Sequence, residues 1–386
     1  VKGLLDGVRV LDLTRVLAGP FAGRVLAEMG ADVVKVEFTR GDPARTIGPH
    51  KGDRSLYFSS LNSGKRGVFL DLSTDHGRAA LEALIAGSDI LLESFKRSTA
   101  STLGLDPVGL LERHPELVAV TVCGFGRDSE RADEGTFDVT IQAEGGIMAV
   151  TGEPGGKPVR AGVALSDLAA GMWAALGAVG ALYARARGAG GRHVEVPMLD
   201  STLPLLAYLA TGALDTAVEP DPVGSGHPSV CPYGAWPTTD GWIVIAVLSD
   251  KFWPPLCRAL GLEELGARPE LVTNAGRLGA RAEVEAAIAE ATTRLATRDA
   301  VAALRGAGVP HAPVLSVIEA LTASYVRDRG LVARVDAPEG GYDVVPGPLW
   351  DKKRVTPAPR LGEHTLEVLS EVLGPDSPIV GAHRES

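Results

Sequence analysis

The sequence predicts an α/β fold: a parallel sheet with helices on both faces, followed by a smaller second domain. Three observations carry this. The first forty or so residues hold a strand, a helix and a strand in succession, a βαβ unit, which is almost always parallel and right-handed. Strand-like and helix-like stretches then keep alternating to residue 122, as a sheet covered on both faces requires. Beyond residue 200 the chain turns Gly- and Pro-rich, then hairpin-like, then helical.

In order along the chain, Val8 to Leu13 is apolar and β-branched and reads as a strand. Pro20 to Met29 reads as a helix, with Pro20 near its first turn, where a missing N–H does no harm. Gly30 closes it. Asp32 to Glu37 is a second strand, and Gly67 to Leu72, Asp89 to Glu93 and Leu117 to Val122 are further ones, with a helix over His76 to Ala86. In such a sheet the ligand crevice lies outside the carboxyl ends of the strands. Pro220 to Pro228 reads as loop or linker. Gly234 to Ala246 reads as a hairpin around the Asp240-Gly241 turn signal, and residues 252–305 as mostly helical. From about Ala323 the chain shows strand-like pieces and two Pro-rich segments.

Composition excludes several classes. The net charge is −10 and no basic run appears, so nucleic acid is not a partner. An anionic small molecule is still allowed, because local Arg and Lys can cradle phosphates. The three cysteines, Cys123, Cys231 and Cys257, lack paired spacing, which argues against a disulfide framework or zinc site and fits a reducing cytoplasm. Val1 to Asp6 lacks the plan of a signal peptide. Ala161 to Ala184 carries no Lys or Arg and a single carboxylate, Asp167. It approaches the length of a spanning helix. A carboxylate in lipid is costly, so the stretch is expected to be a core helix rather than a membrane span.

The first βαβ unit invites a dinucleotide reading, with Glu37 where a ribose-binding acid would stand. Its turn, Leu17 to Gly23, lacks the Gly-x-Gly-x-x-Gly spacing that lets a backbone approach a pyrophosphate, so a structural βαβ unit is the better reading. Asp167 taken alone is a helix-start residue, with Ser166 or Asp167 as N-cap. The same position keeps a carboxylate ionised through the helix dipole and free N–H groups, and an ionised carboxylate can attack a thioester. Gly224-Ser225-Gly226-His227 is either a flexible linker or a set of N–H groups for an oxyanion. Ser225 lacks the strand–elbow–helix setting of a hydrolase nucleophile. Arg40, Arg45, Lys65, Arg66, Lys96 and Arg97 are candidates for phosphate contacts, each also readable as solvated surface charge. No His pair or Cys–His spacing suggests a metal.

Several segments together resemble one family. They are LDLTRVLAGP at residues 11–20, GADVVKVE at 30–37, GDPAR at 41–45, LNSGKR at 61–66, FDVTIQAEGG at 137–146 and LGEHT at 361–365. The set is similar to family III CoA-transferases, which include formyl-CoA:oxalate, succinyl-CoA:glutarate and crotonobetainyl-CoA:carnitine transferases. The resemblance implies a large Rossmann-like domain over residues 1–205, a linker over 206–228, a small α+β domain over 229–322, and a return to the large domain over 323–386. It also implies an interlocked-ring homodimer. No permanently bound cofactor is implied; coenzyme A and acyl-CoA are substrates, with a carboxylic acid as the other.

The family's catalytic aspartate aligns with Asp167. Val16 and Ala18 match pocket-wall positions near the thioester. Leu17 stands where the oxalate enzymes have glutamine, which argues against oxalate and for the glutarate type. Leu72, Ser94, Phe95 and Leu103 fall where the family packs the CoA adenosine. A phosphate-binding arginine is Phe38 here, leaving Arg40 or Arg45 to substitute. Arg15 is a candidate partner for a distal carboxylate. Gly224 to His227 falls where members close a Gly-rich loop over the reacting carboxylate. The alternative on the same fold is an acyl-CoA racemase, which places a His before the aspartate matching Asp138. Phe137 stands there and cannot shuttle a proton, which favours transfer. A CoA-binding protein without catalysis is the remaining alternative.

Overall fold

A computed structural model describes residues 3–338, 340–349 and 356–385. It divides into two compact units. The large one holds the chain up to Ile147, Arg160–Ala217 and the chain from Arg329; the small one holds Met148–Val159 and Val218–Asp328. Residues 148–159 thus pack with the small unit and 206–217 with the large one, where the sequence had suggested large domain and linker.

The large unit is built on six parallel strands: β1 (Arg9–Asp12), β2 (Asp32–Glu37), β3 (Arg66–Phe69), β4 (Ile90–Glu93), β5 (Val118–Cys123) and β6 (Arg192–Pro197). Their order is β3-β2-β1-β4-β5-β6. This is the doubly wound order, and it reverses direction between β1 and β4, where the ligand crevice of such sheets opens. Five of the strands lie where the apolar runs predicted. β6 was not foreseen. It is an edge strand whose Arg192, His193 and Glu195 break the apolar pattern.

One face of the sheet is covered by helices α1 (Ala18–Glu28) and α4 (Leu165–Ala184), the other by α2 (Asp75–Ala86) and α5 (Thr365–Leu373). Between these in sequence lies the short α3 (Asp138–Glu144). Small residues on α4, among them Ala170, Ala174 and Ala178, let it approach α1 closely. A Cβ on Gly171 would sit 2.6 Å from the Ala18 carbonyl oxygen, so only glycine fits there. The expectation of a wholly buried helix needs correction. Met172, Trp173, Leu176 and Tyr183 form an exposed apolar stripe on α4. By length and composition α4 would also cross a membrane, but its alanine face packs into the core.

The C-terminal chain closes the open edge at β3. His364 N–H donates to Gly67 O at 2.8 Å, Gly67 N–H donates to His364 Nδ1 at 3.1 Å, and Phe69 N–H donates to Thr365 Oγ1 at 3.0 Å. Val368 and Leu369 then fill the core beside Leu11 and Val34.

In the small unit, β7 (Tyr233–Pro237) and β8 (Trp242–Ala246) form the hairpin, and β9 (His311–Pro313) adds a third antiparallel strand. The turn residue Asp240 also accepts from Thr297 N–H at 2.7 Å, tying the hairpin to the helix Thr297–Gly306. Trp253, Leu256, Val284, Ile288 and Leu304 fill the core behind.

Candidate active site

The crevice side of the large unit rests on two buried ion pairs. Asp12, at the end of β1, is wholly buried. It accepts from Lys65 Nζ at 2.8 Å and from Thr14 N–H at 3.0 Å. Lys65 also donates to Pro20 O at 2.8 Å and Asn62 Oδ1 at 2.9 Å. Burial pulls its ammonium down to about 8, against the support of Asp12. Next to it, Lys35 Nζ donates to Asp42 Oδ2 at 2.8 Å and to the Thr14 carbonyl. Burial alone would raise the Asp42 carboxyl, but Lys35 outweighs that and holds it below the usual range. Asp42 Oδ1 accepts from Val16 N–H at 3.1 Å, and Val16 has a φ of 70°.

Three of the proposed phosphate contacts are therefore engaged inside the fold. Lys65 is buried against Asp12. Arg66 joins Asp32, Glu367 and Glu371. Arg45 forks onto Glu37 at 2.6 and 2.8 Å and lies 3.8 Å over the Phe58 ring. Sequence alone does not distinguish a buried, paired cation from a solvated one. Arg40, Lys96 and Arg97 are exposed.

At the switch point the structure brings together many of the residues singled out from sequence. Arg15 N–H donates to Ser94 Oγ at 3.3 Å, and its guanidinium lies 5.7 Å from the Phe95 ring centroid. Arg15 thus extends toward Phe95. Phe38 meets Phe95 at 5.8 Å between centroids, and Leu72 and Leu103 pack on the same cluster.

Asp167 lies in the first turn of α4, whose N-cap is Ala164; neither Ser166 nor Asp167 caps the helix. Alanine has no oxygen to offer, and the cap comes from α3. Asp138 Oδ1 accepts from Ser166 N–H at 2.9 Å, and Asp138 Oδ2 accepts from Gln142 Nε2 at 2.7 Å. Gln142 Oε1 in turn accepts from Ala161 N–H at 2.8 Å, which fixes the approach to the helix. Among the described residues the Asp167 carboxyl has no hydrogen-bond partner. Burial, with the negative charge of Asp138 added, pushes it up to about 7. The sequence suggested a helix terminus that keeps this carboxyl ionised; burial and the like charge of Asp138 act in the opposite direction.

Tyr57, in the helix Leu56–Asn62, belongs to the same neighbourhood. Its phenol is pushed up to about 12 by burial and then by the charges of Asp167, Asp42 and Asp138. Nothing in the sequence marked Tyr57, and Gln142 stood only within the FDVTIQAEGG segment, with no role given to it. Asp138 was noted only as the neighbour of Phe137, which is the N-cap of α3 and 68% exposed. Gly171 lies one turn beyond Asp167 and against Ala18, so Asp167 shares the α4 face that meets the Val16–Ala18 loop.

The Gly224–His227 loop belongs to the small unit. It is tied down rather than loose: Gly224 N–H donates to Gly152 O at 2.8 Å, and Ala235 N–H donates to Ser225 Oγ at 2.8 Å. The His227 ring meets Tyr233 edge-on, and Gly226 N–H donates to Val223 O. Among the described residues no group of His, Cys, Asp and Glu is arranged to hold a metal.

A desolvated carboxyl with a raised pKa, beside a sheet-end crevice lined by aromatic and apolar groups, suits covalent chemistry on a carbonyl. The model of CoA-transferase family III matches residues 5–365. The succinate–glutarate CoA-transferase of Agrobacterium fabrum is 35% identical, the alignment covering 96% of each chain. The succinyl-CoA:mesaconate CoA-transferase of Haloarcula marismortui is also 35% identical over 96% of each. A crystal structure of a CaiB/BaiF family protein from Brucella suis superposes with a TM-score of 0.87 at 33% identity, covering 96% of this chain and all of that one. With sequence and fold both matched over nearly its whole length, the chain belongs to CoA-transferase family III and is an enzyme that acts on CoA thioesters.

Proposed function

We propose that the enzyme moves coenzyme A from succinyl-CoA to a small carboxylic acid, with Asp167 as nucleophile. The observation that carries this is the desolvated Asp167 carboxyl at the start of α4, held up to about 7 beside Asp138. Its ionised form attacks the thioester carbonyl, and CoA leaves as thiolate, giving a mixed anhydride. The thiolate attacks the aspartyl carbonyl, releasing succinate and forming an aspartyl-CoA thioester. The acceptor carboxylate attacks that thioester, and the freed thiolate then takes the acceptor acyl group and restores Asp167. Each step exchanges one activated acyl bond for another, so no ATP is consumed. The site must keep water from the anhydride.

Succinyl-CoA as donor is supported by relatives named for succinyl-CoA:mesaconate and succinate–glutarate exchange. Leu17 in the pocket wall agrees with a glutarate-like acceptor. Ser94, Phe95, Leu72 and Leu103 would hold the adenosine, with exposed Arg40, Lys96 and Arg97 for the phosphates. The apolar stripe of Met172, Trp173, Leu176 and Tyr183 supports a homodimer, which light scattering tests; that its chains interlock is what the family resemblance adds. Three free cysteines fit a cytoplasmic setting.

Intact-protein mass spectrometry after mixing with succinyl-CoA tests the chemistry. A CoA-containing adduct on wild type, absent in Asp167→Ala and discharged by one acid of a panel, is the expected result. No adduct from any of a panel of acyl-CoA thioesters, although CoA binds, would overturn it; solvent deuterium entering the acyl α-carbon would then point to racemisation.

A further inference from the structure

Val16 is held in a conformation that its side chain resists. A φ of 70° lies in the left-handed region. A β-branched residue stays there only when its surroundings over-determine it, and such residues cluster where a site needs a set geometry.

The surroundings are specific. Val16 N–H lies 3.1 Å from Asp42 Oδ1. That carboxylate is fixed by Ala44 N–H at 2.9 Å and Lys35 Nζ at 2.8 Å. Lys35 also donates to the Thr14 carbonyl. A single ion pair, with both side chains wholly buried, therefore grips the chain on either side of Arg15. On the far side of the turn, Leu17 is the N-cap of α1 and Ala18 is seated against Gly171. A buried ion pair contributes little stability that packed apolar residues would not. What this one supplies is two directed contacts on a strained turn.

We propose that Asp42, fixed by Lys35, is a positioning residue that holds Val16 left-handed and so sets the Val16–Ala18 wall opposite Asp167. The proposal deepens the reading of Asp167 as the reacting group and rests on it for its effect on rate.

Crystal structures of wild type and Asp42→Asn read φ at residue 16 directly, with no assumption about the chemistry. An amide has one oxygen where the carboxylate has two; the buried Lys35 ammonium keeps that oxygen, so the amide nitrogen turns toward Val16 N–H, which loses its acceptor. Residue 16 is expected to leave the left-handed region. In the transfer assay, kcat is expected to fall by about 100-fold, the loss that a displacement of about 1 Å at a reacting site can cause, with KM for the donor changed less than about 3-fold. Glycine adopts a φ of 70° without strain. Introducing Asp42→Asn into a Val16→Gly background should therefore cost at least about 10-fold less than in wild type.

A φ that stays near 70° in Asp42→Asn, or an equal loss of kcat in both backgrounds, would overturn the proposal. If Asp42→Asn does not fold, thermal unfolding of Val16→Gly and Val16→Ala decides. Alanine normally stabilises relative to glycine. A left-handed site reverses that order by about 2–4 °C, and the ordinary order would refute the role given to Asp42. A displaced φ in a protein whose wild type forms no adduct on Asp167 would refute the nucleophile and leave the positioning contact standing.

Discussion

Replacing Asp167 by Asn should make the protein more stable, and more so as pH rises. The carboxyl is held at about 7, against an ordinary value of 3.8. In the unfolded chain it releases its proton near 3.8; in the folded protein it keeps it until about 7. Between those values the folded state binds more protons, so stability falls as pH rises, and the whole penalty is present above 7. A shift of roughly three units is worth about 4 kcal/mol at 1.36 kcal/mol per unit. Linkage places about 4 kcal/mol of that at pH 8 and about 1.5 kcal/mol at pH 5. These are upper figures, because part of the side chain meets solvent. Asparagine has the same shape and never carries the charge. Denaturant unfolding of wild type and Asp167→Asn at pH 5 and pH 8 compares them directly, and effects of other carboxylates cancel at each pH. The expected result is a variant more stable at both, by about 2–3 kcal/mol more at pH 8 than at pH 5, while forming no adduct with succinyl-CoA. A stability gain that does not grow with pH, or no gain at all, would refute the view that an uncompensated buried charge sits at this position.

Asp138→Asn removes the neighbouring negative charge while leaving an oxygen for Ser166 N–H. The rise of adduct formation with pH, centred near 7 in wild type, should move about one unit toward acid; an unmoved limb would show that Asp138 does not act on Asp167 through charge. Lys65→Met strands Asp12 in the core and should cost about 3–5 kcal/mol in denaturant unfolding; a loss below about 1 kcal/mol, the scale of an exposed pair, would mean the pair is solvated. Gly171→Ala forces a methyl to 2.6 Å from the Ala18 oxygen, so α4 must separate from α1. A loss of about 1–3 kcal/mol together with reduced turnover is expected, and wild-type turnover would sever the link between that contact and the site.

The sheet was legible because its central strands are runs of Val, Leu and Ile with turn signals between them. β6 was not, since an edge strand half open to solvent keeps charged residues in its pattern. Asp167 could be singled out because the family's catalytic aspartate aligns with it; as the lone carboxylate of a long apolar stretch it reads by itself only as a helix-start residue. Its environment could not, because the atoms that set it come from elsewhere in the chain: Asp138 caps Ser166 across 28 positions, and Tyr57 arrives from a different helix. The cations failed for a related reason. Lys65 follows a Ser-Gly turn and reads as surface, yet its ammonium closes on Asp12, 53 positions earlier. Local pattern reports which face of an element is apolar; it does not report which distant partner a polar group has found.

The closure of the β3 edge by residues 364 and 365 has a consequence for biosynthesis. Gly67 and His364 stand 297 positions apart. At about 5–20 residues per second, β3 leaves the ribosome some 15–60 s before the segment that covers it. During that interval an unpaired strand edge and the apolar patch around Leu11 and Val34 face solvent or whatever binds there. The small unit has all its residues by Asp328 and can complete itself first. The large unit, begun first, finishes last, and a message truncated before residue 364 would release a chain with an open, aggregation-prone edge.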